Sequence, residues 1–148
     1  MISHQIIRHF HLFCGLGGGA PGFNRGHARV GNTEAKFKCV GGVDVDAGAI
    51  ADFQRLTGTP ADIQTAAGNQ RPNIIFLSAP CKGFSGLLSQ TRSTTPKYQA
   101  LNHLTVRGMW LALEAWADDP PELIIFENVP RIASRGRELL NKIASMLQ

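Results

Sequence analysis

The segment Ile6–Ala20 reads IIRHFHLFCGLGGGA and joins an apolar, β-prone run to a cluster of glycines. Ile6–Phe13 predicts a β-strand, and the glycine-rich Gly15–Gly22 follows it. Because glycine has no Cβ, such a turn lets the backbone reverse tightly and approach a ligand closely. With Ala20 in its last position, the segment satisfies the G-x-G-x-x-G/A dinucleotide-binding pattern. It predicts a site for a nucleotide-type cofactor, the alternative being a plain flexible turn.

The rest of the chain alternates strand and helix patterns. Further strands are predicted at Lys38–Val45, Ile74–Ser78 and Leu123–Phe126. Helices are predicted at Pro21–Val30, at Ala47–Leu56 with Asp46 as its N-cap, at Leu101–Trp116 and at Ser134–Leu147. This alternation indicates a Rossmann-like α/β fold, with a doubly wound and mainly parallel sheet, in a single domain over residues 1–148.

Composition limits the class of protein. The 148 residues are 43% hydrophobic and 18% charged, which is typical of a soluble globular domain and not of a disordered chain. No apolar run approaches the roughly 18–20 residues that span a bilayer, so no membrane partner is expected. Met1–His11 also lacks the small-residue cleavage site of a secretory signal.

The cysteines, the histidines and the net charge bear on the cellular location, on metal binding and on a nucleic-acid partner. The three cysteines, Cys14, Cys39 and Cys81, form no C-x-x-C pair and predict a reducing location, cytoplasmic or, in a eukaryote, nuclear. The five histidines are scattered without the spacing of zinc ligands, so no metal site is predicted. The net charge of +4 permits a nucleic-acid partner without indicating one.

Unusual segments follow the predicted strands at the points where a parallel sheet binds ligands. In such sheets the ligand lies outside the carboxyl ends of the strands. Those ends carry Gly15–Gly19, Asp44 with Asp46, Pro80–Ser85 and Glu127–Asn128. Asp44 is placed to hold a pair of ribose hydroxyls, with a solvated turn or a helix-cap residue as the alternative. For Asp46 that alternative is the better interpretation.

Cys81 stands just past the predicted strand Ile74–Ser78, beside Pro80 and near Gly83. A cysteine in this position is a nucleophile when nearby cations or backbone N–H groups favour its thiolate. The alternative is a small buried residue, which is the commoner fate of a free cysteine. The candidate cations are Lys82, Arg92, Lys97 and Arg107.

Glu127 and Asn128 end the apolar run Leu123–Phe126. A carboxylate that emerges from such a strand is expected to be partly desolvated, which raises its pKa and lets it share a proton with a substrate nitrogen. The alternative is an ordinary polar residue at the mouth of a strand. Cys39 has no comparable position and is predicted to be a core residue.

Two familiar catalytic loops are absent from the sequence. No G-x-x-x-x-G-K-[ST] segment occurs, which disfavours nucleoside triphosphate chemistry. Gly83–Leu87 departs from the G-x-S-x-G nucleophile elbow at its last position.

The remaining segments, in this order, resemble the cytosine-C5 DNA methyltransferase family. The likeness runs from Ile6 to about Leu147 and implies an S-adenosylmethionine-dependent methyltransferase fold. Each motif is common by chance, but the ordered set on the expected strands is specific. Phe13-x-Gly15-x-Gly17-Gly18 is similar to the first cofactor motif, Pro80-Cys81-x-Gly83-Phe84-Ser85 to the nucleophile motif, and Glu127-Asn128-Val129 to the catalytic-glutamate motif.

This resemblance implies methyl transfer from S-adenosylmethionine to C5 of a cytosine flipped out of double-stranded DNA. The Cys81 thiolate would attack C6 of the ring, while Glu127 would hydrogen-bond N3 and the exocyclic amine. Asn128 would orient that carboxylate, and Ser85 would contact the DNA backbone. The residues implied in the cofactor pocket are Phe13, Gly15, Gly17, Gly18, Asp44, Asp62, Ile63 and Pro80.

Several positions depart from the family pattern. His11 occupies a place where the family usually has Asp, and Lys82 replaces the usual Gln after the nucleophile. Asn73 stands where an Asp often precedes the strand. The leucine that packs on the cofactor aligns with either Leu101 or Leu104.

Segments that the family carries after the glutamate do not fit this chain. They are an Arg-rich catalytic motif, a target recognition domain and a last helix. Arg131, Arg135 and Arg137 do not match the expected Q-x-R-x-R pattern. The chain is therefore expected to be a partial catalytic domain, inactive alone, that pairs with a complementing C-terminal chain or with itself.

Three alternatives remain open. The first is a tRNA cytosine-C5 methyltransferase, since that branch of the family shares the motifs. The second is a non-catalytic remnant of the fold that keeps cofactor or partner binding. A nicotinamide or flavin oxidoreductase is allowed by the glycine loop but leaves Cys81 and Glu127 unexplained.

Overall fold

The computed structural model describes residues 1–63, 70–80 and 95–148. Within these residues, eleven elements follow one another along the chain. The strands are β1 (Ser3–Leu12), β2 (His27–Val30), β3 (Thr33–Asp44), β4 (Ala61–Ile63), β5 (Ile74–Leu77) and β6 (Leu123–Phe126). The helices are α1 (Gly19–Arg25), α2 (Ala47–Thr57), α3 (Pro96–Ala115), α4 (Ile132–Arg135) and α5 (Arg137–Met146).

The six strands form one sheet in the order β2-β3-β1-β5-β6, with β4 also paired to β3. All pairings are parallel except β2 with β3, so the predicted mainly parallel α/β fold is confirmed. From β1 the chain goes to β3 on one side and to β5 on the other. This reversal of strand order places the ligand crevice of such a sheet at the carboxyl ends of β1 and its neighbours.

Two predicted helices were wrong in part. Pro21–Val30 is not one helix: α1 ends at Arg25, and His27–Val30 is β2, which pairs antiparallel with β3 across a tight turn. Gly31 takes a φ of 58° in that turn, a conformation that glycine adopts without strain. The predicted helix Ser134–Leu147 begins earlier and breaks at Gly136 into α4 and α5.

The other predicted elements are present, although α3 begins at Pro96 and not at the predicted Leu101, and β1 spans Ser3–Leu12 and not Ile6–Phe13. β6 has the predicted bounds, and β5 ends one residue before the predicted Ser78. Asp46 caps α2, since its Oδ1 accepts the N–H groups of Gly48 (2.8 Å) and Ala49 (3.1 Å). β3 starts at Thr33, earlier than expected, and the three-residue β4 was not predicted.

Helices cover both faces of the sheet. Side chains of β1 alternate, so that Phe10 and Leu12 point to one face while His9 and His11 point to the other. The first face packs against α3 and α5, and its buried residues are Phe10, Leu12, Ile75, Leu77, Ala79, Met109, Ala112, Trp116, Leu139 and Ile143. The second packs against α1 and α2, where Cys14, Ala20, Cys39 and Phe53 are buried together. Within the described ranges, no helix has the length and apolar character needed to cross a bilayer.

Candidate active site

The glycine-rich turn after β1 is held in an unusual backbone conformation. Phe13, Gly15 and Gly17 have φ values of 55°, 49° and 86°, and Phe13 is a non-glycine residue in the left-handed region. Its ring lies against α3, where a Cβ added to Gly108 would come within 2.7 Å of Phe13 Cε2. Tertiary packing therefore holds a conformation that costs a phenylalanine of order 1 kcal/mol or more.

Two neighbouring glycines of this turn differ in their surroundings. A Cβ on Gly17 would lie 2.8 Å from Phe53 Cδ2 of α2, so only glycine fits there without a shift. A Cβ on Gly18 would meet no atom within 4 Å among the described residues. Gly17 thus packs the turn against the core, while Gly18 faces space that the described residues leave open to a ligand.

Asp44 joins the end of β3 to the glycine-rich turn. Its Oδ2 accepts the N–H of Gly15 at 2.8 Å, and its Oδ1 accepts the N–H groups of Val45 (2.7 Å) and Asp46 (3.1 Å). A carboxylate has about four acceptor positions, so these three bonds leave about one. The carboxylate is fixed at the edge where the sequence predicted it.

The end of β5 meets the same turn. Ser78 Oγ donates to the carbonyl oxygen of Phe13 at 3.2 Å, and Pro80 is exposed two residues later. Cys81 and Ser85 lie outside the described residues, as do Lys82 and Arg92. Arg107, one of the predicted cations, stacks its guanidinium over the Trp110 ring at 4.4 Å.

Glu127 and Asn128 follow β6 at the same edge. The N–H of Glu127 donates to the carbonyl oxygen of Leu77 at 2.9 Å, which extends the pairing of β6 with β5. The predicted partial desolvation of Glu127 is wrong for this chain, because its side chain is exposed. Asn128 Oδ1 accepts the N–H of Val129 at 2.9 Å and so stabilises the turn after the strand.

β4 places the weaker cofactor candidates beside Asp44. Asp62 pairs with Val43, and Ile63 pairs with Asp44. The strand ends thus bring most predicted positions to one edge: Phe13, Gly15, Gly17, Gly18, Asp44, Asp62, Ile63, Pro80, Glu127 and Asn128.

Asn73, one of the departures from the family pattern, serves the opposite edge. Its Oδ1 accepts the N–H of Arg8 at 2.8 Å, and its N–H donates to the carbonyl oxygen of Arg8 at 2.8 Å. An Asp would accept the first bond equally well, so this change preserves the contact.

A polar cluster that the sequence did not predict lies beneath α1. His9 Nδ1 and His11 Nε2 are 2.8 Å apart, and His9 Nε2 is 3.0 Å from Asn24 Oδ1. The N–H of Cys39 donates to the same Asn24 oxygen at 2.8 Å. His9 and Cys39 are partners across β1 and β3, and Val40 then forms a β-bulge. The alternation of His9 and His11 was visible in the sequence, but the strand register was not.

Burial sets the protonation of this cluster. It lowers the pKa of His11 to about 3, an effect to which neighbouring His9 adds. It also lowers the pKa of His9, although the hydrogen bond to Asn24 acts in the opposite direction. Burial raises the pKa of the Cys39 thiol. Near neutral pH all three side chains are therefore uncharged.

Comparison with known proteins identifies the chain. The model of the C-5 cytosine-specific DNA methylase family matches residues 7–148. The chain belongs to this family. The type II methyltransferase M.AplI of Arthrospira platensis is 29% identical over 143 residues, which cover 93% of this chain and 35% of that relative. The chain thus spans about a third of the length of the curated relative it matches.

Solved structures show the same fold. A prophage-encoded E. coli protein assigned to the DNA modification methyltransferases has a TM-score of 0.64 and 21% identity, covering 95% of this chain and 37% of that one. The methyltransferase EhMeth of Entamoeba histolytica has a TM-score of 0.60 and 16% identity, and the match covers 96% of this chain and 44% of that one. The S. pombe Dnmt2 methyltransferase has a TM-score of 0.55 and 16% identity, and the match covers 96% of this chain and 41% of that one. The fold is therefore a truncated Rossmann-like methyltransferase fold.

Proposed function

We propose that this chain supplies the cofactor-binding and nucleophile-bearing part of a DNA (cytosine-5-)-methyltransferase. The observation that carries the proposal is the hydrogen-bonded edge formed by the turn after β1, Asp44, and the ends of β5 and β6. The match to the family model spans residues 7–148 and so includes all the residues of this edge. Activity needs the remaining part of the enzyme, because the chain spans only 35% of its curated relative.

S-adenosylmethionine fits the residues at this edge. The described residues leave open space beside Gly18, and the backbone at Gly15 and Gly17 turns in the left-handed region, so a ligand can approach the main chain. The acceptor position left on Asp44 suits one ribose hydroxyl, while its other bonds keep the carboxylate in place. Phe13, Asp62, Ile63 and Pro80 complete the proposed pocket. The bound cofactor would supply the methyl group.

The proposed chemistry uses Cys81 and Glu127. The Cys81 thiolate adds to C6 of the flipped cytosine, and Glu127 holds N3 and the exocyclic amine while charge develops on the ring. After C5 has been methylated, a base takes the C5 proton and the bond between Cys81 and C6 breaks, which restores the thiolate. Asn128 orients the glutamate segment, and Ser85 contacts the DNA backbone.

The exposure of Glu127 agrees with a site that is completed on assembly. A carboxylate in water is a weak hydrogen-bond partner for a base, because water competes for both groups. The flipped cytosine and the remainder of the enzyme would exclude that water and strengthen the contact.

The proposal is tested by cofactor binding and covalent capture. Calorimetry with S-adenosylmethionine should give binding that Asp44→Ala weakens, whereas Asp52→Ala, which removes only an ion pair with Arg55 within α2, leaves it unchanged. Double-stranded DNA containing 5-fluorocytosine should be trapped covalently once a C-terminal part of a relative is added. Cys81→Ala should abolish the trapped product, and Cys14→Ala should not.

Each arm has a result that contradicts the proposal. No cofactor binding, with or without the C-terminal part, would exclude the proposed pocket. Capture that survives Cys81→Ala would exclude that nucleophile. Capture of a tRNA in place of DNA would assign the chain to the RNA-modifying branch.

A further inference from the structure

Three potential metal ligands converge on the face of the sheet that packs against α1, and none of them is among the residues proposed for methyl transfer. They are His9, His11 and Cys39, all buried, and one ligand atom from each lies within 4.8 Å of the other two. His9 and Cys39 come from paired positions on β1 and β3, and His11 follows on the same face of β1. The proposed reaction uses none of them.

The hydrogen bonds fix where the imidazole protons lie. Asn24 Oδ1 accepts the backbone N–H of Cys39, so this atom is an oxygen, and His9 Nε2 must donate to it. Neutral His9 then carries a lone pair on Nδ1, and His11 Nε2 donates its proton to that lone pair. Thus His9 Nδ1, a basic nitrogen, already points into the cluster without a proton of its own.

We propose that His9 Nδ1, His11 Nε2 and Cys39 Sγ form a binding site for copper(I). Imidazole nitrogen and thiolate are ligands that suit copper, and the thiolate favours its soft monovalent state. Binding replaces the hydrogen bond between the two imidazoles by two metal–nitrogen bonds. Asn24 keeps its hydrogen bond to His9 and orients that ring, as the partners of metal-bound histidines usually do.

Charge favours copper(I) over zinc(II) at this site. Copper(I) with one thiolate is neutral, whereas zinc(II) with one thiolate leaves a net positive charge in a buried place, where an uncompensated charge is expensive. The surroundings are aromatic: the His11 ring lies 5.3 Å from the Phe76 ring, 5.8 Å from Phe23 and 6.2 Å from Phe53. Structural zinc sites also take four ligands almost always, while three converge here among the described residues.

The site requires a small rearrangement. Two nitrogens bound to one metal at about 2.0 Å lie roughly 3.3–3.5 Å apart. The two ring nitrogens, now 2.8 Å apart, must therefore separate by roughly 0.6 Å. The His11 proton moves from Nε2 to Nδ1, so that ring stays neutral. Cys39 releases its thiol proton to solvent, and the overall exchange is one copper(I) ion bound for one proton released.

A groove gives the ion a route inward. A cavity of about 370 Å³ opens beside α1 and is lined by Gly19, Gly22, Phe23, Gly26 and Phe37. Two of its lining residues adjoin the cluster: the Phe23 ring lies 4.9 Å from the His9 ring, and a Cβ added to Gly19 would lie 3.3 Å from His11 Cε1. Rotation of Phe23 would connect the groove to the ligands.

The site is tested by anaerobic titration of the Cys81→Ser chain with copper(I) in competition with bicinchoninate. The result expected is one copper per chain, with an X-ray absorption spectrum that shows two nitrogen ligands and one sulfur ligand. Cys39→Ser should weaken binding more than about 100-fold, beyond the roughly 10–100-fold expected when Asn24→Ala removes only an orienting partner. Cys14→Ser is the control, since Cys14 is also buried and packs in the same cluster as Cys39 but is not one of the three converging ligands. This variant should leave the affinity unchanged.

Several results would overturn the site. They are binding that survives Cys39→Ser, binding lost in Cys14→Ser, zinc(II) bound more tightly than copper(I), or an absorption spectrum with more than one sulfur ligand. Circular dichroism checks that each variant is folded, and the spectrum of the Cys81→Ser chain tests the ligand set even if Cys39→Ser unfolds. The titration needs neither cofactor nor DNA, so its failure would leave the proposed methyltransferase role untouched.

Discussion

The two faces of the central sheet are built by different interactions, although the same strand β1 serves both. The face under α3 and α5 is apolar, and Phe10, fully buried, meets the Trp116 ring at 5.2 Å. The face under α1 carries His9 and His11, also buried, in a hydrogen-bonded chain that ends at Asn24. Area removed from water stabilises the first face, whereas the second depends on a polar network whose members must all be paired.

The largest effect is expected on the apolar face. Phe10→Ala removes a fully buried ring and leaves a cavity, so the free energy of unfolding should fall by about 3–5 kcal/mol. Ile6→Ala, on the same strand but 52% exposed, should lower it by less than about 1 kcal/mol. Urea unfolding followed by circular dichroism measures both. Equal losses would mean that burial does not distinguish the two positions.

The second prediction concerns the packing of the glycine-rich turn after β1 against α2. Gly17→Ala places a Cβ 2.8 Å from Phe53 Cδ2 at a φ of 86°, so we expect a loss of about 2–3 kcal/mol. Gly18→Ala, next in the chain, adds a Cβ that would meet none of the described residues within 4 Å, so it should change stability by less than about 0.5 kcal/mol. The same unfolding measurement applies, and a Gly18 variant as unstable as the Gly17 variant would contradict the packing described for this turn.

The polar network is broken most cleanly at Asn24. Asn24→Ala leaves the N–H of Cys39 and the Nε2–H of His9 without their acceptor, which should lower the free energy of unfolding by about 1–3 kcal/mol. Asn24→Asp keeps the acceptor and should recover part of that loss. Asn141→Ala, exposed on α5, is the control and should have little effect. Nitrogen-15 shifts of the His9 ring should show the Nε2–H tautomer in the unaltered chain and its loss in Asn24→Ala.

The elements that the sequence predicts differ from those that it misses in whether they depend on local or on non-local interactions. β6 was predicted with its observed bounds because Leu123–Phe126 is apolar and is bordered by Glu122 and Glu127, both local signals. His27–Val30 was predicted as helix because its strand state depends on pairing with Thr33–Lys36. Pairing between strands is a non-local interaction, and local propensity does not report it.

In the candidate site, too, the position of residues along strands could be predicted from the sequence, whereas features that depend on packing and strand register could not. Gly15, Asp44 and Glu127 could be placed at one edge from the rule that ligands lie at the carboxyl ends of parallel strands. The exposure of Glu127 could not, since it depends on what packs against β6 and not on the residue itself. The cluster of His9, His11 and Cys39 needs the register of β1 on β3, which spacing along the chain does not contain. The assignment of Cys81 and Ser85 remains a prediction from their motif.

The smallest effect is expected from the titration of the Cys14 thiol, which is buried on the second face. Burial, with the charge of Asp44 adding to it, raises the pKa of Cys14 to about 12 from an ordinary value of 9.0. Above pH 9 the unfolded chain releases a proton that the folded chain retains, so stability should fall as pH rises, by at most about 1.4 kcal/mol per pH unit. Cys14→Ala should remove this part of the dependence, measured as the change in free energy of unfolding between pH 8 and 10 in the presence of a chelator. A variant with the same pH slope as the unaltered chain would show that Cys14 titrates as freely when folded as when unfolded, and that this face does not keep water from its polar groups.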